Sequence, residues 1–146
     1  MTFQESVAAT PEVATGFRPG LTALERGHAQ KIAVSNSRLL EGSVDIDKMT
    51  THLYPNDNRW DYAFAYNKQV YFVEVHTANT SEVDVVLRKL RWLKNWLNSK
   101  APRINQLKAQ APYYWIQSNS FAIPKTTPQY RRIAQAQLMP IKQLVL

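Results

Sequence analysis

The chain has 146 residues, which suits one domain with a substantial core and is too short for two ordinary domains. It contains no cysteine, so disulfides and thiolate metal sites are excluded, and no apolar run approaches the roughly 18–20 residues that cross a bilayer. The N-terminus lacks the basic start and apolar core of a secretory signal, so we expect a cytoplasmic protein with no membrane partner.

Charge is distributed unevenly along the chain. The formal net charge is +7, yet residues 1–84 carry seven Lys or Arg against eleven Asp or Glu, whereas residues 85–146 carry eleven Lys or Arg and no acidic residue. Such asymmetry predicts an anionic partner, and nucleic acid, either DNA or RNA, is the commonest one. The alternative is that folding interleaves the two signs on one surface.

The N-terminal part of the chain carries weak structural signals. Residues 1–20 contain two prolines, two glycines and no apolar periodicity, which predicts a mobile arm, and residues 21–146 are expected to form a single domain. Apolar residues at helical spacing predict a helix over residues 21–34, and an imperfect period of two predicts a first strand over residues 44–49.

Two further strands are predicted on either side of a short turn. The segment "RWDYAFAY" alternates aromatic residues with Asp61 and alanines, whereas "VYFVEVHTA" is apolar on both faces, as in a central buried strand. The intervening "NKQ" is a short hairpin connection. These segments therefore predict an antiparallel pair.

The helix that follows has the strongest signals in the chain. "SEVD" at Ser81–Asp84 is a variant of the capping box, and the helix should end near Ser99 because Pro102 restricts the residue before it. Its apolar stripe at helical spacing comprises Val83, Val86, Leu87, Leu90, Leu93 and Leu97.

The remainder of the chain predicts a short helix starting at Pro102, a strand over residues 113–119, a helix over residues 128–138 and a strand over residues 141–146. Without the short helix, the main order is α-β-β-β-α-β-α-β. This order predicts an α/β protein of the α+β type, with a mixed sheet covered by helices.

Two carboxylates fall on the predicted strand pair, Asp61 at the start of one strand and Glu74 within the next. Adjacent strands lie about 4.8 Å apart, so both carboxylates can reach one divalent cation, and His76 faces the same side as Glu74. Magnesium bound in this way suits phosphodiester hydrolysis. The alternative is that these carboxylates meet only water. Asp45 and Asp47 are read as a solvated strand face and as the substitute ligands for Asp61.

The predicted order of elements resembles the PD-(D/E)XK nuclease superfamily, which has a restriction-endonuclease-like core. The matching pieces are "RWDYAF", "VYFVEVH" and the basic helix "SEVDVVLRKLRWLKNWL". The resemblance covers roughly residues 21–146. It implies a nuclease that uses Mg²⁺ or Mn²⁺ on DNA or RNA, with Asp61 and Glu74 as catalytic metal ligands and with Glu25, on the first predicted helix, as a candidate third ligand.

The chain departs from the superfamily pattern at two positions. Trp60 stands before Asp61 where many members have proline, and His76 stands where the motif has lysine. A histidine, with a reference pKa near 6.5, can ligate metal or act as a base but is not a permanent cation. Some members supply the lysine from the following helix, and Lys89 is the candidate here. The alternative is a catalytically degenerate nuclease fold that acts as a nucleic-acid-binding or oligomeric assembly module.

Basic and aromatic side chains on the later helices are candidates for binding surfaces. Trp92 and Trp96 lie four residues apart and off the Leu/Val stripe, so they should cover the short second helix, a second copy of the chain in a homo-oligomer, or nucleic-acid bases. The residues predicted to contact nucleic acid are Arg88, Arg91, Lys94, Arg131 and Arg132.

Overall fold

The computed structural model describes residues 1–146 and has a mixed α/β architecture, as the sequence predicts. No helix is both long enough and apolar enough to cross a membrane. The helices are α1 (Phe3–Ala8), α2 (Arg26–Ala29), α3 (Ile46–Thr50), α4 (Val83–Ser99), α5 (Pro102–Asn105) and α6 (Pro128–Gln135). The strands are β1 (Arg18–Pro19), β2 (Ile32–Ala33), β3 (Leu40–Asp45), β4 (Tyr62–Tyr66), β5 (Gln69–Asn79), β6 (Lys108–Ala122) and β7 (Leu144–Val145).

The main sheet has five strands in the order β1-β3-β4-β5-β6. Neighbours from β1 to β5 are antiparallel, whereas β5 and β6 are parallel and are connected through α4 and α5. A parallel pair needs such a crossover because a tight turn cannot return the chain to the same direction. A second, two-stranded sheet pairs β2 with β7 in parallel.

The turn between β4 and β5 sets the register of the central hairpin. Asn67 and Lys68 have φ angles of 50° and 65°, which are the left-handed conformations that a type I′ turn requires at both central positions. Tyr66 pairs with Gln69 across this turn, and Tyr62 pairs with Val73 farther along. The two-residue turn therefore determines which β4 and β5 residues face each other.

Both faces of the central strands are buried. The core on the α4 side includes Trp60, Phe72, Leu93, Leu97 and Trp115. The core on the other face includes Tyr62, Phe64, Val75, Ile116 and Leu144. Burial on both sides explains why "VYFVEVHTA" has no polar face.

The first twenty residues pack against the domain, so the prediction of a mobile arm is wrong. Thr2 and Glu5 form a capping box at the start of α1. The side chains of Phe3 and Val7, one turn apart, are 2% and 0% exposed within the main core. These two apolar residues are enough to hold the short helix α1 against the domain, because the rest of the domain supplies the apolar surface that they cover.

A helix was predicted over residues 21–34, but in the structure only Arg26–Ala29 is helical. Leu24 and Ile32 are buried, but they reach the core from outside this helix, and Ile32 pairs with Leu144 near the other end of the chain. Apolar residues at helical spacing had suggested a helix, whereas tertiary burial uses the same residues in non-helical backbone. Gly27 further weakens the local helical preference.

The first predicted strand is displaced towards the N-terminus, to Leu40–Asp45. Asp45 then caps α3 by accepting a hydrogen bond from the Lys48 backbone N–H at 2.8 Å. Asp at an N-cap favours a helix start, and this outweighed the imperfect alternation over residues 44–49.

The long helix predicted after Ser81 is confirmed, and it ends at Ser99 as expected. Its start differs, because Thr80–Glu82 forms a 3₁₀ turn and no side chain caps the helix, so the predicted capping box does not form. The final helix is confirmed over Pro128–Gln135, and the last strand is limited to Leu144–Val145.

Candidate active site

Asp61 and Glu74 face each other across the β4–β5 hairpin. Tyr62 pairs with Val73, so the next step along the ladder brings Asp61 opposite Glu74. The Asp61 backbone N–H donates to Glu74 Oε1 at 3.1 Å, and the Val75 N–H donates to Asp61 Oδ2 at 3.0 Å. These reciprocal bonds hold both carboxylates on the α4 side of the sheet.

Lys89 reaches this carboxylate pair from α4, about two turns into the helix. Its Nζ lies 2.5 Å from Glu74 Oε2 and 3.9 Å from Asp61 Oδ1. The Glu74 side chain is 0% exposed, and those of Lys89 and Asp61 are 16% and 17% exposed. The buried carboxylate is therefore compensated by a nearly buried ammonium, as its desolvation requires.

His76 extends the cluster on the same side of β5. Its Nδ1 lies 3.3 Å from Glu74 Oε2, and its Nε2 lies 2.7 Å from Glu82 Oε1. Glu82 lies immediately before α4 and six residues after His76, and it was not predicted to be a site residue. The capping box predicted there uses the side chains of Ser81 and Asp84, so the local pattern did not distinguish Glu82.

The carboxyl groups and cations alter one another's proton affinities. Burial, together with the nearby charge of Glu74, raises the pKa of Asp61 to about 7 despite the opposing Lys89 ammonium. The hydrogen bonds from His76 to Glu74 and Glu82 raise the pKa of the imidazole. Burial lowers the pKa of Lys89, but the charges of Glu74 and Asp61 outweigh it, and the net shift is upward. Lys89 is therefore a cation at neutral pH.

The substitute ligands proposed from the sequence have other partners. Asp45 caps α3, and the Asp47 carboxylate pairs with Arg59 Nε at 2.7 Å. Asp47 is nevertheless close enough for its charge to contribute to the raised pKa of Asp61. It belongs to the surroundings of the cluster.

Glu25 does not join the carboxylate pair. It precedes α2, its side chain is 73% exposed, and its carboxylate lies 3.8 Å from His28 Nε2. Its backbone N–H contacts the Tyr62 hydroxyl, and Tyr62 belongs to the core on the opposite face of the sheet from α4. The resemblance implied that Glu25 was a metal ligand because a long first helix was expected there, and that helix does not form.

No group of three His, Asp or Glu side chains has the arrangement of a metal site, and the two carboxylates that face each other are those of Asp61 and Glu74. Magnesium commonly uses one or two protein carboxylates and completes its coordination with water and phosphate oxygens. Asp61 and Glu74 fit that donor set. Lys89 competes for Glu74 Oε2 in this arrangement.

The five basic residues predicted to bind nucleic acid are exposed on α4 and α6: Arg88, Arg91, Lys94, Arg131 and Arg132. Arg132 pairs with Asp84 at 2.6 Å, so one of them is already partly neutralised. The Lys94 ammonium lies over the Tyr113 ring, 5.1 Å from its centroid.

Trp92 and Trp96 pack within the chain. Trp96 is 3% exposed, and its Nε1 donates to Glu12 Oε1 at 2.9 Å. Trp92 stacks on Trp96 with ring centroids 5.8 Å apart and meets Tyr54 edge-on at 5.5 Å. The N-terminal segment thus covers Trp96, which the sequence left open to a partner.

Comparison of the chain with protein-family models, with curated proteins and with solved structures finds no match. Function is therefore inferred from the geometry of the cluster around Glu74 and from the charge of the surfaces beside it.

Proposed function

We propose that this protein is a metal-dependent nuclease of the PD-(D/E)XK type, in which Lys89 of α4 replaces the motif lysine. The observation that carries the proposal is the position of Lys89 Nζ, 2.5 Å from Glu74 and 3.9 Å from Asp61. The order of β3, β4 and β5 as an antiparallel meander, followed by α4 and a parallel β6, supports it, because the superfamily core has this order.

In this proposal Asp61 and Glu74 hold Mg²⁺ or Mn²⁺. When bound, the metal lowers the pKa of a water molecule and offsets negative charge on the scissile phosphate. The chain itself contributes the orientation of both carboxylates, through the backbone bonds of Asp61 and Val75.

Lys89 and His76 have different roles. Lys89 is protonated, so it donates hydrogen bonds and stabilises charge that develops on a phosphate oxygen. If the neutral imidazole of His76 donates from Nε2 to Glu82 at 2.7 Å, its Nδ1 is the nitrogen that would accept the proton of the attacking water, in place of the 3.3 Å contact with Glu74, and Glu82 would stabilise the resulting imidazolium. Hydrolysis then leaves a phosphate monoester and a free hydroxyl group.

A second candidate function is a nucleic-acid-binding or assembly module of the same fold that no longer cuts. It is favoured by the engagement of both Glu74 oxygens with protein donors, namely the Asp61 N–H on one side and Lys89 and His76 on the other. A metal would have to displace part of this network.

Calorimetric titration with Mn²⁺ distinguishes the two candidates. The nuclease proposal expects wild-type protein to bind the metal and Glu74→Gln to lose binding, with folding checked by circular dichroism. Glu25→Gln is the matched control, since Glu25 is exposed on the other side of the sheet and should leave binding unchanged. No binding at millimolar Mn²⁺, or equal binding by Glu74→Gln, would contradict a metal site at this pair.

Cleavage of labelled DNA and RNA, single- and double-stranded, then tests the reaction. We expect wild-type protein to cut at least one substrate with Mg²⁺ or Mn²⁺, and Lys89→Met to lose cleavage while it still binds metal. Nucleic-acid binding without any cleavage would favour the second candidate.

A further inference from the structure

Three clefts meet at Lys94, on the side of α4 away from Lys89. Their volumes are about 570 Å³ between β6 and the segment after α6, about 260 Å³ towards α5, and about 440 Å³ between α4 and α6. Lys94 lines all three, and Lys108 and Tyr113 line the first two. We call these three clefts together the Lys94 groove.

The geometry of α4 separates the groove from the candidate active site. Lys89 and Lys94 are five residues apart, which is about 140° around a helix. One edge of α4 thus supplies Lys89 to the carboxylates of the hairpin, and the other edge supplies Lys94 to the groove. A ligand in the groove does not need to contact Glu74.

The groove is lined by cations and lacks carboxylates. Its four basic residues are Arg91, Lys94, Lys108 and Arg132, and no Asp or Glu lines any of the three clefts. Arg132 pairs with Asp84, but Arg91, Lys94 and Lys108 take part in none of the ion pairs of the structure. Three unneutralised cations in a concave surface attract an anionic ligand.

Aromatic and amide groups accompany these cations. Tyr113 and Tyr114 are both partly exposed. The Phe72 ring stacks on Tyr113 with ring centroids 5.7 Å apart, and the Lys94 ammonium lies over the Tyr113 ring, 5.1 Å from its centroid. The amides that line the groove include Asn98, Asn105, Gln110 and Gln135. Tyrosine rings offer stacking surfaces, and amides can donate to and accept from base edges.

The dimensions favour an unpaired strand. A cleft of about 570 Å³ has the size of a pocket for one small molecule, which is enough for a nucleotide whose base is turned inwards. A duplex hides its bases in the stack and presents only phosphates to such a surface. The partly exposed Tyr113 ring would then have no base to contact.

We propose that the Lys94 groove binds single-stranded nucleic acid, with Lys94, Lys108 and Arg91 on phosphates and with Tyr113 against a base that replaces the Lys94 ammonium over the ring. The inference rests on the proposed function only in taking nucleic acid as the ligand, and it does not require that the protein cuts. It assigns the anchoring of the strand to a surface separate from Asp61 and Glu74.

Fluorescence anisotropy with a labelled twelve-nucleotide deoxythymidine oligomer tests the groove. EDTA is included so that metal and cleavage play no part. Lys94→Ala/Lys108→Ala should weaken binding at least tenfold and reduce the slope of log affinity against log salt by about 1.4, since each lost phosphate contact contributes about 0.7 for a single strand. The matched control, Lys48→Ala/Lys68→Ala, removes two exposed lysines elsewhere and should change affinity less than twofold.

A second pair of variants tests base stacking. Tyr113→Phe should retain affinity, whereas Tyr113→Leu should lose about tenfold, because it removes the aromatic face. Equal losses in the lysine pair and its control would overturn the proposal, since charge alone would then explain binding. Tighter binding of a duplex, or equal competition by an acidic peptide, would also overturn it.

The proposed function and this inference fail separately. Binding in EDTA that depends on Lys94 and Lys108, without cleavage when Mn²⁺ is added, would retain the groove and contradict the nuclease. Cleavage that depends on Glu74, with unaltered binding by the groove variants, would retain the nuclease and contradict the groove.

Discussion

Glu74 has no exposed side-chain surface, and its charge is compensated by Lys89 and His76. Removing a buried carboxylate from water is costly, and close cations with satisfied hydrogen bonds offset that cost. The contacts of Glu74 with Lys89 and His76 therefore support the fold. Substitutions in this cluster should affect stability as well as activity.

Replacing Lys89 with Met should lower the free energy of unfolding by about 3–5 kcal/mol, because it leaves Glu74 buried without its closest cation. Chemical denaturation at neutral pH measures the change. The double variant Lys89→Met/Glu74→Gln should recover part of the loss, since the uncompensated charge is then absent. Equal stability of wild type and Lys89→Met would show that the ion pair does not support the fold.

Asp61 should make the protein less stable as the pH rises. Its pKa is about 7 in the folded protein, because of burial and the charge of Glu74, and about 3.9 in the unfolded chain. Between these values the folded state binds more protons, so stability is present below pH 4 and is lost as the pH rises through 7, with a slope of up to about 1.4 kcal/mol per pH unit.

Denaturation of wild type and Asp61→Asn from pH 4 to 8 checks this prediction. Asparagine cannot ionise but can still accept the Val75 N–H bond. The stability of wild type relative to the variant should decline across this range, whereas a constant difference would contradict a raised pKa at Asp61.

At the scale of elements, the β4–β5 hairpin determines the geometry of the candidate site. Its two-residue turn pairs Tyr66 with Gln69. The same register, continued along both strands, places Asp61 opposite Glu74. A shift by one residue would move one of these carboxylates to the other face of the sheet. The turn is therefore a constraint on the site as well as on the strands.

Lys68→Gly should raise the free energy of unfolding by about 0.5–1 kcal/mol, because lysine is strained at a φ of 65° and Asn-Gly is preferred in a type I′ turn. Lys68→Ala is the control, since it removes the same side chain without relieving the backbone and should give no gain. Thermal and chemical denaturation measure both variants. A gain of equal size with alanine would assign the effect to charge.

At the scale of the whole molecule, segments far apart in sequence hold each other in place. The Leu144 N–H donates to the Lys31 carbonyl and the Leu146 N–H donates to the Ala33 carbonyl, so β7 secures the chain that leads from α2 to β3. Leu144 is 4% exposed in the core on the face opposite α4. This second small sheet therefore covers the face of the main sheet that no long helix covers.

Leu144→Ala should lower the free energy of unfolding by at least about 2 kcal/mol, because it leaves a cavity in a buried site. The neighbouring Val145 is 69% exposed, and Val145→Ala should change stability by less than about 0.5 kcal/mol. Denaturation curves of both variants make the comparison. Similar losses would show that the backbone pairing of β7, and not the burial of Leu144, carries the stability.

The sequence by itself determined the parts of this protein that depend on local pattern. The alternation in β4, the apolar run of β5 and the turn between them predict the hairpin, and the apolar stripe of α4 predicts that helix. The predicted connection "NKQ" includes Gln69, whereas the structure pairs Gln69 with Tyr66 and limits the turn to Asn67 and Lys68. The register that brings Asp61 opposite Glu74 therefore comes from the structure and not from the sequence. Lys89 was a candidate because some members of the superfamily that the sequence resembles supply the motif lysine from the following helix.

Only the tertiary structure decided the contacts between distant segments. The N-terminal Phe3 is buried in the main core, Glu12 accepts a hydrogen bond from Trp96, Ile32 pairs with Leu144, and Glu25 is kept away from Glu74. It also decided that Glu82 contacts His76, with Oε1 2.7 Å from Nε2. The physical reason is that a local period shows which face of a segment is apolar, whereas the partner that covers this face is set by packing of the whole chain.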